Sequence, residues 1–255
     1  MPLLEARRLT KRFSGLTALD AVDLAVEAGE IRGVIGPNGA GKTTFFNVIS
    51  GVMRPSSGSV HFEGKEISGK RPSRVAALGV VRTFQRPALF PKFTVLENVA
   101  VARHLHAQET LFGAILGFAD RMERENEARA REIVEFLGLG PVCDTLAGNL
   151  AHGHQRVLGV AMALATEARL LMLDEPVAGM NDAETEIMTG LIRKTRDERG
   201  ITILLVEHHM RTVMGVCDQI TVLSFGRKLA EGAPDYIKSH DGVIEAYLGA
   251  EDVVA

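Results

Sequence analysis

The sequence has no tryptophan, two tyrosines and only two cysteines. Cys143 and Cys217 lie far apart and form no metal-type spacing. A disulfide scaffold and a thiolate metal site therefore drop out, and both thiols are expected to be reduced. Long apolar runs are also missing. The most apolar stretches are "VLGVAMALA" (157–165) and "ITILLV" (201–206). They fall far short of the roughly 18–20 residues that a spanning helix needs, so any work at a membrane is expected to go through a partner. The opening "MPLLEARRLTKRF" has no apolar segment of the export-signal kind, and no signal peptide is expected. Charge of one sign is lacking too: 29 basic against 32 acidic residues leave a net charge of −3, which argues against bulk nucleic-acid binding. No fixed-period repeat, heptad array or low-complexity tract is visible.

What remains is an ordinary globular composition, 46% hydrophobic and 24% charged in 255 residues, enough to bury a substantial core. "LLEARRLT" and "AVDLAVEAGE" read as strands, and "IRGVIG" (31–36) as a short strand running into a glycine loop and a helix, "KTTFFNVIS". From about Thr94 the pattern turns helical. "TVLENVAVARHLHA" and "DRMERENEARAREIVEFLGLG" read as helices. The second has an apolar stripe (Ile133, Val134, Leu137) and the i,i+4 pairs Glu125/Arg129 and Glu127/Arg131. The intervening "QETLFGAILGF" reads as a short, loosely helical excursion. From residue 169 apolar strands alternate with helices again: "RLLMLDEP", a helix near 183–199, "ITILLVEH", a helix near 209–216, and "QITVLSFG". Continuous apolar strands in such alternation indicate a buried, mostly parallel sheet. The expected fold class is α/β, with a helical lobe interrupting the core.

Two motifs carry chemistry. "GPNGAGKT", Gly36–Thr43, matches the phosphate-binding pattern G-x-x-x-x-G-K-[ST] in full. Glycines let backbone N–H groups wrap a phosphate without Cβ clashes, and the following helix aims its positive dipole end there. Lys42 supplies a positive charge to the β- and γ-phosphates, and the Thr43 hydroxyl is a hard ligand for Mg²⁺. The second motif, "LLMLDEP" (170–176), ends an apolar strand in two acids. Asp174 is placed to hold Mg²⁺ or its waters, and Glu175 to polarise an attacking water.

With these residues in place, the chain resembles the ATP-binding subunit of an ABC transporter over nearly its whole length. It is most similar to the subunits of branched-chain amino-acid importers and their urea and amide relatives. "DEPVAGMNDAET", "LLVEHHMRTVMGVCDQITVLSFGRKLAEGAP" and "VIEAYLG" carry the narrower likeness. The resemblance implies one nucleotide-binding domain over 1–255. Its P-loop core, with a parallel sheet and an N-terminal antiparallel β-subdomain, covers 1–94 and 161–255, and an inserted α-helical subdomain covers 95–160. It implies ATP and Mg²⁺ as cofactors and a contact surface for nucleotide at Gly36, Asn38, Gly39, Ala40, Gly41, Lys42, Thr43 and Thr44. Gln85 in "RTFQRP" corresponds to the glutamine that senses Mg²⁺ and the γ-phosphate. Phe13 corresponds to the aromatic that stacks on adenine, although a ring there also suits a core. His208 corresponds to the switch histidine at the γ-phosphate, so that the catalytic set is Glu175, His208 and Lys42.

"LAHGHQR" (150–156) falls where the family carries Leu-Ser-Gly-Gly-Gln. Leu150 and Gly153 match, Ala151 replaces the serine, and His152 and His154 replace glycine and glutamine. In the family this loop faces the ATP of an opposing subunit, so Ala151, His152, Gly153 and His154 are expected nucleotide contacts in trans. A metal site at His152-x-His154 is disfavoured, because no nearby ligand completes a set. The histidines read either as tolerated polar residues or as donors in place of the lost hydroxyl. "AGMN" (178–181) corresponds to a loop that crosses to the second subunit, with Asn181 where Asp is usual. The resemblance further implies membrane permease subunits as partners, with Phe90 and Phe93 candidates for that surface or for the core. It also implies a second ATP-binding subunit, identical or paralogous, and indirectly a periplasmic solute-binding protein, but no nucleic acid. The expected location is peripheral, on the cytoplasmic face of the inner membrane. Two other readings stay open: a binding switch with weak hydrolysis, and a soluble ABC ATPase outside transport.

Overall fold

The computed structural model describes residues 1–83, 87–103 and 119–251. Strands β1 (Leu4–Phe13) and β2 (Leu16–Val26) form an antiparallel hairpin, and β4 (Ser57–Phe62) and β5 (Lys65–Glu66) extend it into a sheet ordered β2-β1-β4-β5. A second sheet is ordered β10-β9-β3-β8-β7-β6. It is built from β3 (Ile31–Ile35), β6 (Val80–Arg82), β7 (Leu170–Asp174), β8 (Thr202–Val206), β9 (Gln219–Ser224) and β10 (Arg227–Gly232). Its neighbouring strands pair in parallel except for β10, which returns antiparallel on β9. The class read from the sequence is thus the class found.

The strands 170–174 and 202–206, with their apolar runs 170–173 and 203–206, are buried throughout because both faces of the sheet are covered. Their side chains alternate between two cores. Leu171, Leu173, Ile203 and Leu205 join the core shared with the helices, whereas Leu170, Met172, Leu204 and Val206 join the core under the antiparallel sheet. That second core takes Phe45 and Phe46 from helix α1 (Lys42–Ile49).

Between the motifs, α2 (Pro72–Ala77) precedes β6. Helix α3 (Val95–Arg103) packs on both α4 (Ala119–Phe136) and α5 (His152–Ala165). The predicted stripe is buried at Ile133 and Val134 of α4 and at Leu137 just past its end, and the pairs Glu125–Arg129 and Glu127–Arg131 lie on the exposed side. The stretch read as a loosely helical excursion, 108–118, lies outside the described residues, and so does Gln85. Helix α6 (Asp182–Arg199) starts at a reciprocal cap: Asn181 Oδ1 accepts from the Glu184 N–H while Glu184 Oε2 accepts from the Asn181 N–H, both at 3.0 Å. Helices α7 (Met210–Val216), α8 (Pro234–Lys238) and α9 (Asp241–Glu251) complete the described chain.

Candidate functional site

Register decides which residues meet. Strand β8 lies between β3 and β7, with Val34 opposite Val206 and Val206 opposite Asp174. Three neighbouring parallel strands therefore end at one edge. There the chain continues as Gly36 after β3, Glu175 after β7, and Glu207 and His208 after β8. Such carboxyl-end edges are where open α/β sheets bind ligands.

The loop after β3 needs glycine at two positions. Gly36 has φ 147°, and a Cβ there would lie 2.1 Å from the Leu223 carbonyl oxygen. Gly41 has φ 102°, and a Cβ would lie 2.6 Å from the Ala18 carbonyl oxygen. Gly41 is also the N-cap of α1 and offers no side-chain cap, so the first N–H groups of the helix point outward with their donors available to an anion. The loop is backed by β2 and by the β9–β10 turn, whose Gly226 N–H donates to the Ala40 carbonyl at 3.1 Å. Lys42 folds over it: Nζ donates to the carbonyls of Gly36 (2.5 Å) and Pro37 (2.9 Å). Burial pulls the Lys42 pKa below the usual lysine value, and the nearby Glu175 carboxylate opposes that shift. A partly desolvated ammonium resting on carbonyls is a cation ready to exchange them for phosphate oxygens.

Asp174 ends β7 in a buried position, and its Oδ2 accepts from Arg82 Nη2 at 2.6 Å. Arg82, on the adjacent β6, also donates through Nη1 to Asn47 Oδ1 (2.6 Å) and Ser50 Oγ (3.3 Å) of α1 and its C-cap. A buried ion pair thus ties the acid strand to the phosphate-loop helix. The sequence reading missed Arg82. The signal was there, a cation in a short apolar strand that has to find an acid. As for metals, no group of three His, Cys, Asp or Glu side chains able to hold an ion occurs among the described residues. The available donors are the Thr43 hydroxyl and the Asp174 carboxylate. Such a sparse set of hard oxygens fits Mg²⁺, which takes one or two protein oxygens together with substrate phosphates and water.

Glu175 has a left-handed backbone, φ 49°, a conformation that is strained for a residue with a side chain and that gathers at functional sites. Its N–H donates to the Val206 carbonyl at 2.9 Å, and its Oε1 lies 3.5 Å from His208 Nδ1. His208 is mostly exposed at this edge. His209 instead turns back to its own helix, with Nδ1 2.8 Å from Thr212 Oγ1. Phe13 ends β1 at the hairpin to β2 and is 40% exposed, with Lys11 Nζ 5.0 Å from its ring centroid. A ring this exposed suits stacking better than a core role.

Ala151 is the N-cap of α5 and makes no side-chain cap bond. His152 and His154 are exposed, whereas Gly153 is buried, and a Cβ there would meet Glu184 Oε1 at 2.6 Å. The stretch 150–154 is therefore seated against the start of α6 in this chain. Phe90 and Phe93 stack with centroids 5.4 Å apart, and both are substantially exposed, so they are surface rather than core.

Residues 19–178 match the ABC transporter family, and residues 227–253 match a segment of branched-chain amino acid ATP-binding cassette transporters. The chain belongs to the ABC transporter family. This ABC ATPase is 43% identical over 250 residues to the high-affinity branched-chain amino acid transport ATP-binding protein BraF of Pseudomonas aeruginosa, covering 97% of this chain and 98% of the relative. It is 42% identical over 250 residues to LivG of Escherichia coli, described in the same words, with the same coverage. Among solved structures, the ADP conformation of MJ1267, an ATP-binding cassette of an ABC transporter, superposes with a TM-score of 0.84 at 31% identity, covering 98% of this chain and 99% of that one. A dimeric cassette holding ADP and Pi shares the fold, with a TM-score of 0.75 at 23% identity and covering 91% of this chain and 98% of that one.

Proposed function

We propose that this ABC ATPase powers import of branched-chain amino acids or similar small polar solutes through membrane permease subunits. The observation that carries the reading is the common edge of β3, β8 and β7, which holds the phosphate loop, Glu175 and His208 side by side. Full-length similarity to BraF and LivG supports the substrate class. ATP would rest on residues 36–44 with its base near Phe13, and Gln85 would complete the contacts. Mg²⁺ would be held by Thr43, Asp174 and Gln85, and its role is to neutralise phosphate charge. Lys42 binds the β- and γ-phosphates, Glu175 orients the attacking water, and His208 meets the γ-phosphate. Phosphoryl transfer asks for placement and charge neutralisation rather than covalent help.

The site is completed by residues 151–154 of a second ABC subunit, identical or paralogous, closing head to tail. The domain division follows: 1–94 and 161–255 bind nucleotide, and 95–160 carries the trans-acting loop. The exposed Phe90–Phe93 pair beside α3 is a surface suited to a permease helix. No described helix is long and apolar enough to cross a membrane, consistent with peripheral attachment at the cytoplasmic face through those permeases, which a periplasmic binding protein would supply with solute. The Ala151 cap, which lacks a hydroxyl, favours slow turnover as a second reading. Uptake of radiolabelled leucine by cells whose only copy carries Glu175→Gln tests the proposal. Uptake falls to the level of cells lacking the chain; uptake at the normal rate would refute the importer role.

A further inference from the structure

Glu207 is fully buried at the end of β8, yet its carboxylate is shared between two loops. Oε1 accepts the Val177 N–H at 3.0 Å. Oε2 accepts the N–H groups of His208 (3.1 Å) and His209 (3.2 Å). One side chain thus joins the turn that follows Glu175 to the segment that carries His208. The same turn is also held from α5. Arg156 of α5 donates through Nη1 to the Glu175 carbonyl (3.3 Å) and through Nη2 to the Ala178 carbonyl (3.1 Å). Glu175 keeps its left-handed φ of 49° between these grips, and a strained backbone persists only where its surroundings over-determine it.

We infer that Glu207 is a positioning residue for hydrolysis, setting the separation of Glu175 and His208 by binding the backbone of both their loops, with Arg156 bracing the Glu175 turn from α5. The arrangement favours a carboxylate. It offers two acceptor oxygens and no donor, so that one oxygen serves each loop without an opposing N–H. Glutamine matches its shape but has one acceptor oxygen, and its amide N–H groups would face the backbone N–H groups of whichever loop that oxygen does not serve. Aspartate keeps the charge but is one methylene too short to span both. Arg156 also links α5, the helix that begins at the 151–154 loop, to this turn, so α5 and the β8 end meet at the residues flanking Glu175.

The inference rests on Glu175 being the group that orients water, so Glu175→Gln is measured beside it. Steady-state ATP hydrolysis by Glu207→Gln is expected to show kcat lowered about tenfold or more, the size of one lost hydrogen bond to a charged group. KM for ATP stays at the wild-type value, because the phosphate loop is untouched. Glu207→Asp is expected to lie between, and Glu207→Gln combined with His208→Ala to fall less than the product of the two single losses, since both act on one loop. A wild-type kcat in Glu207→Gln while Glu175→Gln is inactive overturns the inference and leaves the function reading intact. A loss of kcat matched by a parallel rise in KM and a lowered unfolding temperature in both Glu207 variants overturns it as well, because that is the pattern of a structural acid. Full activity in Glu175→Gln overturns the reading beneath it.

Discussion

Lys42→Ala binds ATP roughly ten- to a hundredfold more weakly than the wild type, the factor expected from one charge-assisted hydrogen bond of about 1.5–3 kcal/mol, and turnover falls with it. Lys42 now rests on the Gly36 and Pro37 carbonyls, already partly desolvated. Its burial has been met in folding, so little more is needed when phosphate oxygens replace the carbonyls. Alanine removes that cation from a loop whose remaining donors are all neutral, backbone N–H groups and the side chains of Asn38, Thr43 and Thr44. The fold is expected to survive, because the lysine's two acceptors are backbone carbonyls of its own loop and the glycine conformations do not depend on the lysine. Equilibrium titration with a fluorescent ATP analogue and a thermal melt check the two halves of this statement. Wild-type affinity would remove Lys42 from the phosphate site.

Glu175→Gln separates binding from chemistry. Glutamine occupies the same volume beside His208, 3.5 Å away in the wild type, and leaves the phosphate loop and the Asp174–Arg82 pair in place. A neutral amide cannot accept a proton from water. A positioned general base contributes about 10²- to 10⁴-fold, so kcat falls by that order while ATP affinity is retained. Phosphate release under saturating ATP, measured with a nucleotide-binding titration of the same protein, gives both numbers. Loss of affinity in proportion to kcat would point to a binding role for the carboxylate instead.

Much of this was legible in the chain. The phosphate loop and the "LLMLDEP" strand announce themselves because glycine, lysine and strand-end acids have few other reasons to occur in that order. The parallel sheet was visible as apolar runs without alternation, which only two-sided burial explains. The strand order was not, because each pairing depends on partners distant in the chain. Seating β8 between β3 and β7 is what turns three separate motifs into one edge. Arg82 and Glu207 were overlooked for a related reason. Each reads as a stray charge beside an apolar strand, and its meaning comes from partners far along the chain: Asp174 for Arg82, and Val177 for Glu207. The histidines of "LAHGHQR" are exposed, as a contact with a second subunit requires, and one chain alone does not choose between tolerated residues and donors. Buried Gly153, pressed against Glu184, is the constrained residue of that loop. Gln85 lies outside the described residues, and its role stays a proposal from resemblance.

We propose that one chain holds an incomplete site, with its phosphate loop served by residues 151–154 of another ABC subunit. The most direct test is the rate of phosphate release per chain as the concentration of the purified protein, or of an added partner ABC subunit, is raised at saturating ATP and Mg²⁺. Specific activity is expected to climb with concentration and then level off as pairs form. A specific activity that stays constant down to the lowest measurable concentration would mean that a single chain completes its own site, and would contradict it.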